Sequence, residues 1–243
     1  MSFWTALKST YRESGLFLLA CPLLALIPVV VELVQHGVEM HLGMYDSLAM
    51  AKEVESHPLR LGFGLAKVVA LILPIYWITR FIAFGRDPGA AARLDRPAVR
   101  LFAAFAAFQI LLAVLQLFLL PSSGWWLLGN FIGGQILGAL IAAWGAAAPL
   151  GNAAIGPLAS ARLMMRHLPF TIALFLAAMM PLMIPHYLFA AGAIFGPEWS
   201  KWPILIADSL LVGWLSAVLV ASGYIAAKRA ADAQGVNLRP SSC

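Results

Sequence analysis

Apolar residues run along this chain in six long blocks, at about 15–35, 61–84, 98–120, 125–149, 169–195 and 203–227. Each reaches the ~20 residues that an α-helix needs to cross the hydrocarbon core of a bilayer. A segment in hydrocarbon has no water to satisfy its amide groups, so blocks of this length fold as helices. The breaks between them carry turn chemistry: Gly85-Arg86-Asp87-Pro88-Gly89, Pro121-Ser122-Ser123-Gly124 and Gly196-Pro197-Glu198. The pattern predicts an all-α fold, a polytopic integral membrane helix bundle of six transmembrane helices. It forms a single domain over residues 1–243, with 228–243 as a short tail.

Two connections have a pattern of their own. Between His36 and Arg60, Val38, Leu42, Tyr45, Leu48 and Ala49 fall at helical spacing among acids. That predicts a short amphipathic helix on the membrane surface, either a lid or, more ordinarily, a solvated connector with one apolar face. After Pro157, Leu158, Ala161, Met165 and Leu168 recur at helical spacing, so a second short interfacial helix is expected. There Ser160, Arg162 and Arg166 would face lipid head groups, each basic residue adding about 1 kcal/mol on an anionic surface.

Composition strengthens the membrane reading. Hydrophobic residues make up 62% of the chain and charged residues 11%, against about a quarter charged in soluble domains. The net charge of +5 does not indicate nucleic acid, because cytoplasmic loops of membrane proteins collect Lys and Arg. No basic patch is interleaved with aromatics, as single-strand binding requires. On one side of the six spans stand Lys8, Arg12, Arg80, Arg86, Arg93, Arg96, Arg100, Arg162, Arg166, Lys228, Arg229 and Arg239. The other side has Lys52, Arg60 and Lys201, and Lys67 falls inside a span. Twelve against three makes the first side cytoplasmic. Both termini are then cytoplasmic, and the expected location is the bacterial inner membrane. Lys8 and Arg12 before an apolar run imitate a signal peptide, but the run has full spanning length and reads as an uncleaved first span. The two cysteines, Cys21 and Cys243, predict no structural disulfide. Trp4, Trp125, Trp126, Trp199 and Trp202 at span ends read as interface anchors rather than a ligand cage.

Four ionisable residues fall inside predicted spans: Glu32, Lys67, His186 and Asp208. Such groups are costly in hydrocarbon and usually face the bundle interior or water. By position in their spans all four lie in the outer half of the membrane. They are expected either to form one outward-opening cluster, with Lys67 paired to Glu32 or Asp208, or to snorkel separately to the interface. The fourth span carries overlapping small pairs, Gly129/Gly133 and Gly134/Gly138. They predict close helix packing, inside the bundle or between copies. Pro181 and Pro185 mark span five as the expected irregular helix. Arg93, Arg96, Arg162 and Arg166 are expected to contact head groups. Enzyme chemistry is not indicated: there is no metal-like Cys/His spacing, no pair of intramembrane aspartates, and no acid to orient His167 beside Ser160. The reading therefore expects no metal, no cofactor and no catalytic residues.

A span ending in Pro149, followed by Leu158-Ala159-Ser160-Ala161-Arg162-Leu163 and then the fifth span, with Tyr11-Arg12-Glu13 ahead of span one, resembles a known layout. It is that of the bacterial six-span proteins grouped with the glycerophosphoryl diester phosphodiesterase membrane domain. The resemblance implies a membrane domain without catalytic residues of its own. The function expected is a non-enzymatic multi-pass protein that scaffolds, assembles or regulates envelope components. The alternative is a small transporter or channel using the outward polar cluster. Expected partners are membrane lipids, other membrane proteins or a second copy through the glycine-rich fourth span, and not nucleic acid.

Overall fold

A computed structural model describes residues 1–121 and 124–240, and the secondary structure among them is helical. Eleven α-helices follow in order: α1 (Phe3–Ala20), α2 (Pro22–His41), α3 (Leu48–Glu55), α4 (Pro58–Ile72), α5 (Pro74–Ala83), α6 (Pro88–Ala92), α7 (Arg96–Val114), α8 (Trp125–Ala147), α9 (Pro157–Met165), α10 (Leu168–Phe195) and α11 (Lys201–Ala233). Among the described residues, six stretches are long and apolar enough to cross a membrane: Pro22–His41, Pro58–Ala83, Arg96–Leu119, Trp125–Leu150, Leu168–Phe195 and Glu198–Ala233. The predicted hairpin at Pro121–Gly124 includes Ser122 and Ser123, which lie outside the described residues, as does Cys243.

The first span differs from the expected 15–35. The helix breaks at Cys21, where Pro22 removes an amide donor and starts a new helix. α2 then continues through Glu32, His36 and Glu39, polar residues that the periodic reading assigned to the span end and the loop. The surface helix is correspondingly shorter: Val38 belongs to α2, and α3 starts at Leu48 behind a Ser47 cap. Span two breaks at Pro74 into α4 and α5, and span three ends in a π-helical stretch over Leu115–Leu119. Span five is the opposite case. α10 runs unbroken through Pro181 and Pro185. In the turn before Pro181, the Ala178 carbonyl accepts a 2.8 Å hydrogen bond from the Tyr11 hydroxyl, which ties α1 to α10.

α11 is the axis of the bundle, in contact with α1, α2, α5, α8 and α10. α1 and α2 follow it in the opposite direction: Arg229 reaches the Met1 carbonyl, Val29 lies against Gly213, and His36 meets Asp208. Small residues make the approach close. Ala226, Ala227, Ala230 and Ala231 of α11 pack with Ala143, Ala146 and Ala147 of α8 at one end. At that end buried Arg80 donates to the carbonyls of Ala90 and Pro149, tying α5 to the turn after α8. The α9 helix forms after Pro157 as expected, with Arg162 and Arg166 exposed, but Ser160, Leu158 and Met165 are not placed as expected. Ser160 is fully buried, donating to the Leu140 carbonyl and accepting from the Trp144 amide, whereas Leu158 and Met165 are exposed. The serine satisfies backbone groups of α8, so it cannot face head groups.

Of the two readings of the glycine pairs, packing inside the bundle or between copies, the first applies only to Gly138. Gly129, Gly133 and Gly134 are exposed, and a Cβ on any of them would meet no atom within 4 Å. Close packing inside the bundle begins lower on α8. Gly138 meets Phe175, and at Gly145 a Cβ would sit 2.9 Å from the Phe105 ring. The reason is geometric: only the second half of α8 is wedged among α5, α9, α10 and α11.

Candidate functional site: a buried charge network beside a central cavity

Glu32, His36 and Glu39 are spaced i, i+4 and i+7 on α2, so they share one helix face. All three are buried. α11 brings Asp208 against that face, also buried, α4 brings Lys67 and Arg60, and α10 brings His186. Lys67 Nζ donates to Glu32 Oε1 at 2.7 Å. Asp208 is held from both sides: its Oδ1 is 2.7 Å from His186 Nδ1, and its Oδ2 is 3.1 Å from His36 Nε2. The four intramembrane residues picked out in the sequence thus stand together, with Lys67 on Glu32 rather than on Asp208.

The sequence pattern misses the two residues that join the network, His36 and Glu39, along with Tyr45, Gln35 and Arg60 that surround them. His36 joins the two halves, since its Nε2 also lies 3.6 Å from Glu32 Oε1. Its other nitrogen, Nδ1, lies 2.9 Å from the Tyr45 hydroxyl and 3.2 Å from Glu39 Oε2. Glu39 is the anchor of this side. It accepts from Tyr45 at 2.6 Å, from Gln35 at 2.9 Å and from Arg60 at 3.1 Å. Burial, and then the Glu39 charge, push the Tyr45 phenol well above its ordinary range, so it stays a donor. The signal in the sequence was the i, i+4, i+7 spacing of Glu32, His36 and Glu39. It was obscured because polar residues at the end of an apolar block read as loop.

The network is not complete in itself. Glu32 Oε2 and Gln35 Oε1 are buried without a hydrogen-bond partner among the described residues. Three carboxylates (Glu32, Glu39, Asp208) face two fixed cations (Lys67, Arg60), which leaves one negative charge to be met by a proton on an imidazole or by another cation. Charge buried in a medium of low polarity is costly unless paired. This arrangement therefore has a built-in affinity for one further positive charge.

Lys67 and His186 also line a cavity of about 440 Å³ at the centre of the bundle. The cavity follows α11 from Val212 to Tyr224, roughly 18 Å at the helical rise. Its wall is mostly aliphatic and aromatic, with Phe105, Ile141, Phe175 and Leu215 prominent. Polar atoms are few: Lys67 and His186 at one end, Thr79 and Tyr224 toward the other, and Gln109 and Ser216 between. The buried Ser216 hydroxyl has no hydrogen-bond partner among the described residues.

The expected head-group residues lie elsewhere. Arg93, Arg96, Arg162 and Arg166 are exposed, and none forms an ion pair among the described residues. The fixed pair at that end is Arg86, which donates to both oxygens of Glu13 at 2.9 and 2.7 Å. Compared with family models, with curated proteins and with solved structures, the chain matches none.

Proposed function

We propose that this chain is a multi-pass protein of the bacterial inner membrane that carries a small, largely apolar molecule through the bundle. The observation that supports this reading is the central cavity, which ends on two ionisable side chains, Lys67 and His186, each tied to a buried acid. Ligand sites of a few hundred Å³ with an apolar wall and a few convergent polar groups are the usual form of small-molecule pockets. Ionisable groups inside a membrane mark substrate or ion pathways more often than packing. The cargo this cavity suits has an apolar body and one acceptor group for the Lys67 ammonium. The transporter reading is favoured over a scaffold because a scaffold gives no role to the cavity or to the buried charges. Chemistry on the cargo is not part of the proposal.

The excess of Lys and Arg orients the protein. The end bearing Arg93, Arg96, Arg162 and Arg166, together with both termini, is cytoplasmic, and the charge network belongs to the outer half. Exposed arginines at the cytoplasmic end engage anionic head groups. The likeness in layout to the glycerophosphoryl diester phosphodiesterase membrane domains rests on Tyr11-Arg12-Glu13, Pro149 and the Leu158–Leu163 stretch, and none of these residues lines this cavity.

Flux tests the reading. The full chain is reconstituted in liposomes, and uptake of a bilayer-impermeant aryl anion, naphthalenesulfonate, is followed with time. Saturable uptake above that of protein-free liposomes is expected, with at least a tenfold loss on Lys67→Met. Uptake equal to that of empty liposomes, or unaffected by Lys67→Met, would remove the basis for the proposal.

A further inference from the structure

The side of His36 that faces Asp208 and Glu32 is chemically unusual. Its Nδ1 is engaged by Tyr45 and Glu39, and because Tyr45 donates to Glu39, its hydroxyl oxygen accepts from the ring. A ring that donates from Nδ1 turns Nε2 to the other side, where it either donates a second proton or, with that proton displaced, offers its lone pair to a metal ion. There it meets two carboxylate oxygens, Asp208 Oδ2 at 3.1 Å and Glu32 Oε1 at 3.6 Å. A proton on Nε2 answers these oxygens as a hydrogen bond; a metal ion taking its place would be held by all three atoms.

From this geometry we propose a site for a divalent first-row transition metal, of the zinc class, formed by Glu32, His36 and Asp208. One imidazole nitrogen and two carboxylate oxygens, all buried, can be brought within 4.8 Å of one another. Ligands about 2.0–2.1 Å from a tetrahedral zinc are separated by roughly 3.3 Å, and the 3.1 and 3.6 Å separations straddle that value. Each ligand is also supported from behind, as metal ligands usually are. Glu39 and Tyr45 fix the His36 ring, His186 holds the far oxygen of Asp208, and Lys67 holds Glu32. Independently, the second oxygen of Glu32 is buried with no partner, on a residue only 1% exposed. A dication supplies the positive charge that the three carboxylates lack. Histidine among the ligands favours a zinc-class ion over magnesium or calcium, which prefer all-oxygen sites. Three protein ligands leave a fourth position for water or another small ligand.

The proposal does not depend on transport and is tested by binding alone. The full chain, purified in a mild detergent and stripped with a chelator, is titrated with Co²⁺ while the visible absorption is recorded. The expected result is one Co²⁺ per chain with the intense bands of a tetrahedral site, displaced by Zn²⁺ and not by Mg²⁺. His36→Ala and Asp208→Asn should each weaken binding at least ~100-fold, and Glu39→Gln, which loosens the support, 10–100-fold. His41→Ala, at an exposed histidine of the same helix, should leave it unchanged. Failure of the unaltered protein to take up stoichiometric Co²⁺ overturns the proposal, whatever the folding of the variants. So does undiminished binding in His36→Ala, or loss of binding in His41→Ala.

Discussion

Replacing Gly213 by Ala puts a close contact between α2 and α11 to the test. A Cβ at this position would stand 2.4 Å from Val29 Cγ2 and 3.7 Å from the Ala25 carbonyl oxygen. The first distance is far inside van der Waals contact. Valine in a helix has essentially one χ1 rotamer, so Val29 cannot turn aside. α2 and α11 must separate instead. Overpacking of this kind costs ~1–3 kcal/mol. With a value near the middle, Gly213→Ala should lower stability by about 2 kcal/mol. Val29→Ala removes the opposing methyls. Because Val29 is only half-buried, that change alone should cost about 1 kcal/mol. Independent effects would sum to about 3 kcal/mol, but the double variant, with the clash gone, should lose only about 1 kcal/mol, a coupling of about 2 kcal/mol. Reversible unfolding of all four proteins in one detergent measures the cycle. Additivity within ~0.5 kcal/mol would refute the claim that this contact sets the spacing of the two helices.

Other outcomes follow from the site and its surroundings. Tyr45→Phe removes a short hydrogen bond to a buried carboxylate and should cost ~1.5–3 kcal/mol; a loss below ~0.5 kcal/mol in the same unfolding assay would show that Glu39 is satisfied without it. Ser216→Ala deletes a buried hydroxyl that has no partner among the described residues, so stability should stay level or rise by up to ~1 kcal/mol, and a clear fall would mean that the hydroxyl is bonded. His167, just ahead of α10, is held below its ordinary range by burial first and then by Arg229 and Arg166. Its neutral form is therefore favoured in the folded protein, so the stability it contributes is present above pH ~6.5 and is lost as pH falls through the folded value. Arg229→Gln should move the His167 titration, followed by NMR, part of the way back up, and no movement would refute the assigned cause.

Much of the fold was legible because hydrocarbon leaves the backbone so few options. Apolar length located the second to fifth of the long apolar helices to within about three residues, whereas the sixth extends further at both ends than the expected 203–227. The first slipped because two local effects opposed the hydropathy signal. Pro22 restarts the helix after Cys21, and Glu32, His36 and Glu39 lower the apolar average where the helix continues. Depth within each span was enough to group Glu32, Lys67, His186 and Asp208. Recognising His36 and Glu39 required treating the end of α2 as helix and asking which face they share. Burial on α8 and α9 was not legible. A Gly-xxx-Gly pattern shows that a close approach is permitted, not that a neighbour is there, and Gly129 and Gly133 have none within 4 Å. Ser160 was misplaced because polarity suggested water, whereas its hydroxyl answers two backbone groups of α8. Proline was a poor guide to irregularity: α10 absorbs two without a break, whereas single prolines at 22 and 74 start new helices.

The contact at Gly213 and the bridge from His36 to Asp208 join the same two helices at successive levels. One blocks closer approach and the other resists separation, so α2 and α11 can neither slide nor roll past each other without breaking both. They act as a fixed post. α4 and α10 are attached to that post through Lys67 and His186, the two members of the network that also border the cavity. Displacing α4 from α2 would break Lys67–Glu32, and displacing α10 from α11 would break His186–Asp208 together with the apolar packing of Ala178, Met179 and Leu182 on Leu215 and Val218.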